Sequence, residues 1–153
     1  MVQVQSTAVV DVVLCAPTYR TRARALRSRR DALGTEVAEA LEARANAEMR
    51  QAPHEARQFA RLALWVARYI DDAAGVSRSL RVLVQAAILG GCFPEALRSA
   101  EEAIARARID ENETEAAELE VMRVQVLTNL EQYAEARECG RTVLRVFEQM
   151  GDT

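Results

Sequence analysis

The chain reads His54-Glu55-Ala56, Pro94-Glu95-Ala96 and Ala134-Glu135-Ala136 at a constant spacing of 40 residues, and this repetition decides the fold. A small residue follows each alanine by four positions, and an apolar pair follows it by seven and eight positions. These offsets return to one face of an α-helix, so each tripeptide predicts the start of an amphipathic helix. A period of this length, held three times, is typical of stacked helix hairpins.

Residues between the periodic segments indicate where the helices begin and end. Pro53 and Pro94 stand at helix starts, where the missing N–H of proline costs nothing. Asn112 followed by Glu115 is a capping-box pattern. Three glycines lie just past helical runs, where a left-handed C-cap favours glycine, namely Gly34, Gly75 and Gly151. The predicted helices are 35–51, 54–73, 77–90, 94–108, 113–130 and 134–150.

The period extends into the first helix of each hairpin. Ala47, Ala87 and Leu127 share one register position at the 40-residue spacing, and so do Ala40 and Leu80. Arg44, Glu120 and Arg123 break the pattern, because apolar residues are expected at their positions.

The composition favours an all-α fold. Half of the 153 residues are hydrophobic but only 5% are aromatic, and alanine is the best helix former. Lysine is missing from the sequence, which excludes Schiff-base chemistry and a phosphate-loop lysine. The acidic groups between residues 101 and 120 are interpreted as solvated helix faces, since they lack the pattern of a calcium loop.

The cysteines and the single histidine are the sharpest catalytic candidates. Cys15, Cys92 and Cys139 are widely spaced without a Cys-x-x-Cys pair, so neither a disulfide framework nor a zinc site is predicted. A reducing cytoplasm is the expected compartment. His54 with Cys92 or Cys139 could form a dyad, but no motif surrounds these cysteines. We expect no enzyme, no catalytic residue, no cofactor and no metal.

Residues 1–34 form a separate segment with its own charge. Met1 to Leu33 carry +4, the rest of the chain carries −7, and the total is −3. The spacing of Tyr19, Ala23, Leu26 and Arg30 predicts an amphipathic helix that caps the array, and contact with nucleic acid or an acidic membrane is the alternative. The valine-rich stretch 9–14 predicts a short strand or an extended apolar segment. No apolar stretch approaches the roughly 20 residues of a membrane span.

The fixed alanine of the second helix, the bulky residue three positions before it and the small residue four positions after it resemble the tetratricopeptide repeat family. The resemblance covers residues 35–153 and looks like a longer variant found in bacterial signalling proteins, including those associated with CHAT peptidases. The period of 40 departs from the usual family period of about 34, and the signature Trp and Gly of the first helix are absent. The resemblance implies an α-solenoid of three helix-turn-helix repeats, at about 35–74, 75–114 and 115–153, behind an irregular N-terminal segment.

The resemblance also implies a function, because first helices line a concave groove in that family. The groove would be lined by six polar residues, namely Arg78, Arg81, Gln85, Glu118, Gln125 and Asn129. The arginines would be neutralised either by Glu118 or by an acidic peptide. The corresponding first-repeat sites are Leu41 and Ala45, so the carboxylate clamp that binds chaperone tails is not reproduced.

We therefore expect a protein- or peptide-binding helical scaffold, the docking or regulatory module of a larger signalling protein. Its partner would be another protein or an extended peptide. Two alternatives stay open. One is a structural module that associates with itself, and the other is a nucleic-acid-linked regulator that acts through the arginine-rich N-terminal segment.

Overall fold

The structure, a computed structural model, describes the backbone of residues 2–151 and the side chains of residues 4–151. This range contains helices, a short 3-10 turn at Arg30–Ala32, and no strand. The helices are α1 (Val2–Cys15), α2 (Tyr19–Arg27), α3 (Thr35–Glu48), α4 (Pro53–Tyr69), α5 (Ala73–Leu89), α6 (Phe93–Ile109), α7 (Glu113–Asn129) and α8 (Tyr133–Met150).

Consecutive helices from α3 to α8 pack against each other, so that α3–α4, α5–α6 and α7–α8 are three stacked hairpins. The first helices also meet, since α3 touches α5 and α5 touches α7. The helix crossings are closed by small residues, and both Ala56 and Ala96 are fully buried. The predicted all-α array of helix hairpins is confirmed.

The turns from α4 to α8 share one design. Each has three residues, and the middle residue adopts a left-handed conformation, with φ of 57° at Asp71, 70° at Gly91, 55° at Glu111 and 60° at Glu131. The third residue donates its N–H to the carbonyl five residues back, as from Asp72 to Ala67 at 2.9 Å. This is the Schellman arrangement, which satisfies the last carbonyls of one helix before the next begins. Helices of similar length and turns of equal length explain the constant spacing.

The connection from α3 to α4 is different and changes the register of α3. Residues 49–52 form a four-residue connection without a left-handed residue. The register prediction for Ala47 is wrong, because Ala47 is exposed whereas Ala45 is fully buried. Ala45 takes the position that Ala87 and Leu127, also fully buried, hold in α5 and α7. The altered connection rotates α3, so that its last buried position is Ala45, two residues earlier than the period predicts.

Two of the predicted glycine caps are corrected. Asp72 caps the start of α5, since its Oδ1 accepts the N–H of Gly75 at 3.0 Å, so α5 begins at Ala73 and Gly75 lies inside it. Gly34 is the N-cap of α3 in an extended conformation. Gly151 is a left-handed C-cap as predicted, with φ of 77°. Asn112 caps α7, accepting the N–H of Glu115 at 3.1 Å, but the other half of the predicted capping box is replaced, because the Asn112 N–H donates to the Ala107 carbonyl.

The N-terminal segment is a further helix hairpin. The predicted strand at 9–14 is wrong, because these residues lie inside α1. Val9 and Val13, four residues apart, are buried in the core, and α1 packs on α3 while α2 packs on α4. The predicted amphipathic helix is confirmed as α2, where Leu26 is fully buried, but it ends at Arg27, and Arg30 begins the 3-10 turn. Packing on α3 outweighs the strand preference of the valines, since intrinsic propensity is weaker than tertiary burial.

Candidate functional site

A groove opens between the first turns of α5 and α7, with the last turns of α6 as its floor. Its volume is about 470 Å³. The floor is apolar, formed by Ala103, Ala107 and Leu119, and the walls are polar and charged. The wall residues are Ser77, Arg78, Arg81, Asp110, Asn112, Glu115 and Glu118. The structure therefore brings together three of the six predicted groove residues, Arg78, Arg81 and Glu118.

The guanidinium of Arg81 binds two carboxylates of the next hairpin. Its Nη1 donates to Glu115 Oε2 at 2.5 Å, and its Nη2 donates to Glu118 Oε2 at 2.7 Å. Burial by itself lowers the pKa of Arg81, but the hydrogen bonds to both glutamates outweigh burial and raise that pKa above its ordinary value. Arg81 joins α5 to α7 and its charge is already balanced.

Arg78 is held more loosely. Its Nε lies 3.4 Å from Glu42 Oε2, and its Nη2 lies 3.9 Å from both Glu39 and Asp72. Glu42 is buried and also accepts a hydrogen bond from Ser79 Oγ at 2.7 Å. The Arg78 side chain is 45% exposed, so its guanidinium can reach a group that enters the groove.

The other three predicted residues lie outside this groove. Asn129 Nδ2 donates to the carbonyl of Gln125 at 2.8 Å, a contact within one turn of α7. Gln85 is half-buried, about one turn beyond Arg81 along α5. Leu41 and Ala45, the predicted first-repeat counterparts, are fully buried and belong to the core. The shifted register of α3 accounts for that difference.

A set of arginine–glutamate pairs, which sequence reasoning missed, links helices of the array: two of the pairs join neighbouring hairpins, and the third joins α7 to α8 within the last hairpin. The glutamate of each repeated tripeptide accepts an arginine: Glu55 from Arg22 at 2.8 Å, Glu95 from Arg61 at 2.5 Å, and Glu135 from Arg123 at 2.6 Å. The hydrogen bond to Glu95 is the main reason that the pKa of Arg61 is raised. The recurrence of glutamate in the middle of all three tripeptides was the available signal.

Glu120 and Arg123 form a charged cluster inside the last hairpin. Buried Glu120 accepts from Arg108 Nη2 at 2.7 Å and lies 3.5 Å from Arg123 Nη1. The thiol of Cys139 donates to Glu120 Oε2 at 2.9 Å. Burial, together with this hydrogen bond, raises the pKa of Cys139 to about 12, so the thiol stays protonated at neutral pH. The charges of Glu120 and Arg123, which break the apolar pattern of α7, therefore balance each other.

His54 lies at the start of α4 beside Arg57. Its Nδ1 is 3.0 Å from Arg57 Nη2, and its Nε2 is 3.1 Å from Gln58 Nε2. Arg57 Nη1 also contacts the Sγ of Cys92. The guanidinium thus lies between the two members of the candidate dyad, and both ring nitrogens have partners other than a thiol.

Among residues 2–151 no group of three or more His, Cys, Asp or Glu side chains is arranged to hold a metal ion. No helix in this range is long and apolar enough to cross a membrane. No protein-family model matches the chain, and no curated protein is significantly similar to it.

Proposed function

We propose that this chain is a protein-binding helical scaffold that holds an extended peptide segment in the groove between α5 and α7. The supporting observation is the combination of a small-residue floor with charged walls on rigid helices. Ala103 and Ala107 leave room above α6, and Arg78 stands at the rim with only long ion-pair contacts. Recognition sites of this kind combine an apolar surface with a few placed polar groups.

The two arginines have different roles in this proposal. Arg81 is saturated by Glu115 and Glu118 and maintains the wall of the groove. Arg78 has contacts of 3.4 to 3.9 Å, and a carboxylate of the bound peptide can replace them with a bidentate pair. An apolar side chain of the same peptide would cover Ala103, Ala107 and Leu119.

The resemblance to tetratricopeptide repeats supports the same role. On this resemblance we propose that the chain is the docking or regulatory module of a larger signalling protein that works in the cytoplasm. Helix hairpins suit this role because each hairpin contacts mainly its neighbours, so the array presents an extended binding surface.

A peptide-display library provides the test. Peptides selected on the wild-type protein are expected to carry an acidic residue and to bind Arg78→Ala about tenfold more weakly, about 1.4 kcal/mol. The matched control is Arg98→Ala, an exposed arginine of α6 outside the groove, and it should leave affinity unchanged. Arg81→Ala should instead lower the melting temperature. Equal binding to wild type and Arg78→Ala, or no enriched sequence, contradicts the groove proposal.

A second candidate function rests on α2. Arg20, Arg24 and Arg27 are exposed and recur at spacings of four and three, so they form one basic stripe. Such a stripe fits nucleic-acid phosphates, and binding would weaken steeply with salt. Titration of duplex DNA and of RNA at two salt concentrations, with the triple alanine variant as control, tests this role. Absence of salt-dependent binding removes it.

A further inference from the structure

The outer face of the α7–α8 hairpin is apolar and uncovered. Leu144 is 63% exposed, Tyr133 57% and Val121 48%. They line a cavity of about 620 Å³ together with Val124, Thr128, Ala136, Arg137, Gly140, Arg141 and Val143. A Cβ added at Gly140 would meet nothing within 4 Å. Exposed apolar patches of this kind mark interaction surfaces.

The repeat shows what covers this face elsewhere in the array. Leu144 occupies the same position as Leu64 and Ile104, which are 7% and 4% exposed. In those hairpins the first helix of the next hairpin supplies the cover, since α5 packs on α4 and α7 packs on α6. The face around Leu144 therefore has the composition of a face that packs against the next hairpin. A helix that resembles the first helix of a hairpin would fit on it.

At the other end of the array, α1 resembles the first helix of a hairpin and has one exposed face. Within α1, buried Val9 and Val13 have the spacing and burial of Leu83 and Ala87 in α5. In α5 the residues that directly precede Leu83 and Ala87, namely Val82 and Ala86, are also buried. In α1 the residues that directly precede Val9 and Val13, namely Ala8 and Val12, are exposed. The face of α1 that matches a covered face of α5 is thus open.

The charges of the two faces are complementary. Asp11 is exposed on the open face of α1, and Arg137 and Arg141 are exposed on the α7–α8 face. Within the described residues none of these three side chains forms an ion pair. The net charges of the larger segments are also complementary but of reversed sign, since residues 1–33 carry +4 and residues 113–150 carry −4. Complementary charge favours encounter and sets the orientation of docking.

We propose that copies of this chain associate head to tail, with α1 of one copy packed on the α7–α8 face of the next. Val12 and Ala8 of one copy cover Leu144 and Gly140 of the other, and Asp11 pairs with Arg137 or Arg141. The two faces are different surfaces, so the contact is heterologous and repeats into open chains instead of closing as a dimer. This association leaves the groove between α5 and α7 free.

Two single-face variants test the proposal. Val12→Arg places a like charge opposite Arg137 and Arg141, and Leu144→Asp places one opposite Asp11. Both positions are exposed, at 40% and 63%, so circular dichroism should show an unchanged fold. Wild-type mass, followed by sedimentation velocity, should rise with concentration beyond that of a dimer. Each variant alone should be monomeric. The control Ile109→Asp, at an 80% exposed position outside both faces, should behave as wild type.

Mixing the two variants gives the decisive measurement. Val12→Arg retains an intact α7–α8 face, and Leu144→Asp retains an intact α1 face. An equimolar mixture should therefore form a 1:1 dimer that cannot extend further. A wild-type protein that stays monomeric overturns the proposal. So does association that Leu144→Asp abolishes and Val12→Arg does not, because that result indicates a symmetric contact between two α8 helices.

Discussion

The guanidinium of Arg22 in α2 donates to the carboxylate of Glu55 in α4, with 2.8 Å between Nη1 and Oε2. The same guanidinium lies 4.3 Å from the centre of the Phe59 ring, and its Nε donates to the carbonyl of Ala16 at 2.9 Å. One buried arginine of the basic segment thus joins the N-terminal hairpin to the first repeat. The pair repeats the arrangement by which Arg61 of α4 holds Glu95 of α6.

Replacement of Arg22 by alanine should destabilise the protein. We expect the free energy of unfolding to fall by about 1–3 kcal/mol, because a charge-assisted hydrogen bond and a cation–π contact are lost together. Urea denaturation followed by circular dichroism measures the change. Arg24→Ala, at an exposed position of the same helix, should change stability by less than about 0.5 kcal/mol. Equal midpoints for the two variants would show that Arg22 does not anchor α2.

Replacing Ala96, which lies at a tight helix crossing, by a larger residue should overpack the core. Ala96 is fully buried, so Ala96→Leu should cost about 1–3 kcal/mol. Ala43→Leu, at an exposed position in the middle of α3, is the control and should be nearly neutral. Thermal melts of both variants provide the measurement. An unchanged melting temperature for Ala96→Leu would contradict the tight crossing.

The left-handed turn residues predict opposite effects of two substitutions. Glu131 has φ of 60°, where a residue with a Cβ is strained, so Glu131→Gly should raise stability by up to about 1 kcal/mol. Gly91 has φ of 70°, so Gly91→Ala should lower stability by about 1 kcal/mol although open space surrounds the added methyl. Urea midpoints measure both changes. A neutral Gly91→Ala would show that the turn adjusts without strain.

The buried thiol of Cys139 predicts a loss of stability at alkaline pH. Folding raises the pKa of Cys139 from 9.0 to about 12, so folded and unfolded states both keep the proton below pH 9. Between pH 9 and 12 the unfolded thiol ionises and the folded one does not, which favours unfolding. The stability of Cys139→Ala should fall less over this range than that of wild type. Cys15→Ala, at an exposed thiol, should follow wild type. Parallel curves for all three proteins would rule out this cause.

The periodic pattern predicted the three second helices and their buried alanines. Ala56, Ala96 and Ala136 are all buried, and the observed starts of α4, α6 and α8 lie one residue before the predicted ones. Each of these features depends on residues close together in the sequence. The spacing of apolar residues within one helix is enough to place its buried face.

The candidate groove was predictable only in part. Arg78 and Arg81 were recognised from their spacing on one helix, and both line the groove. Their partners could not be derived in the same way, because Glu42 belongs to the preceding hairpin and Glu115 to the following one. The relative rotation of neighbouring hairpins decides which carboxylate each guanidinium reaches.

By itself the sequence determined the hairpin period, the helix count from α3 to α8 and the small residues at the crossings, since local spacing and turn chemistry encode all three. Only the tertiary structure decided that the valines of α1 form a helix, that Ala45 is buried while Ala47 is exposed, and that Arg22 turns inward to Glu55. In each of these cases two local arrangements were compatible with the residues. The deciding free energy came from burial against a neighbouring helix, and that contact lies outside any local pattern.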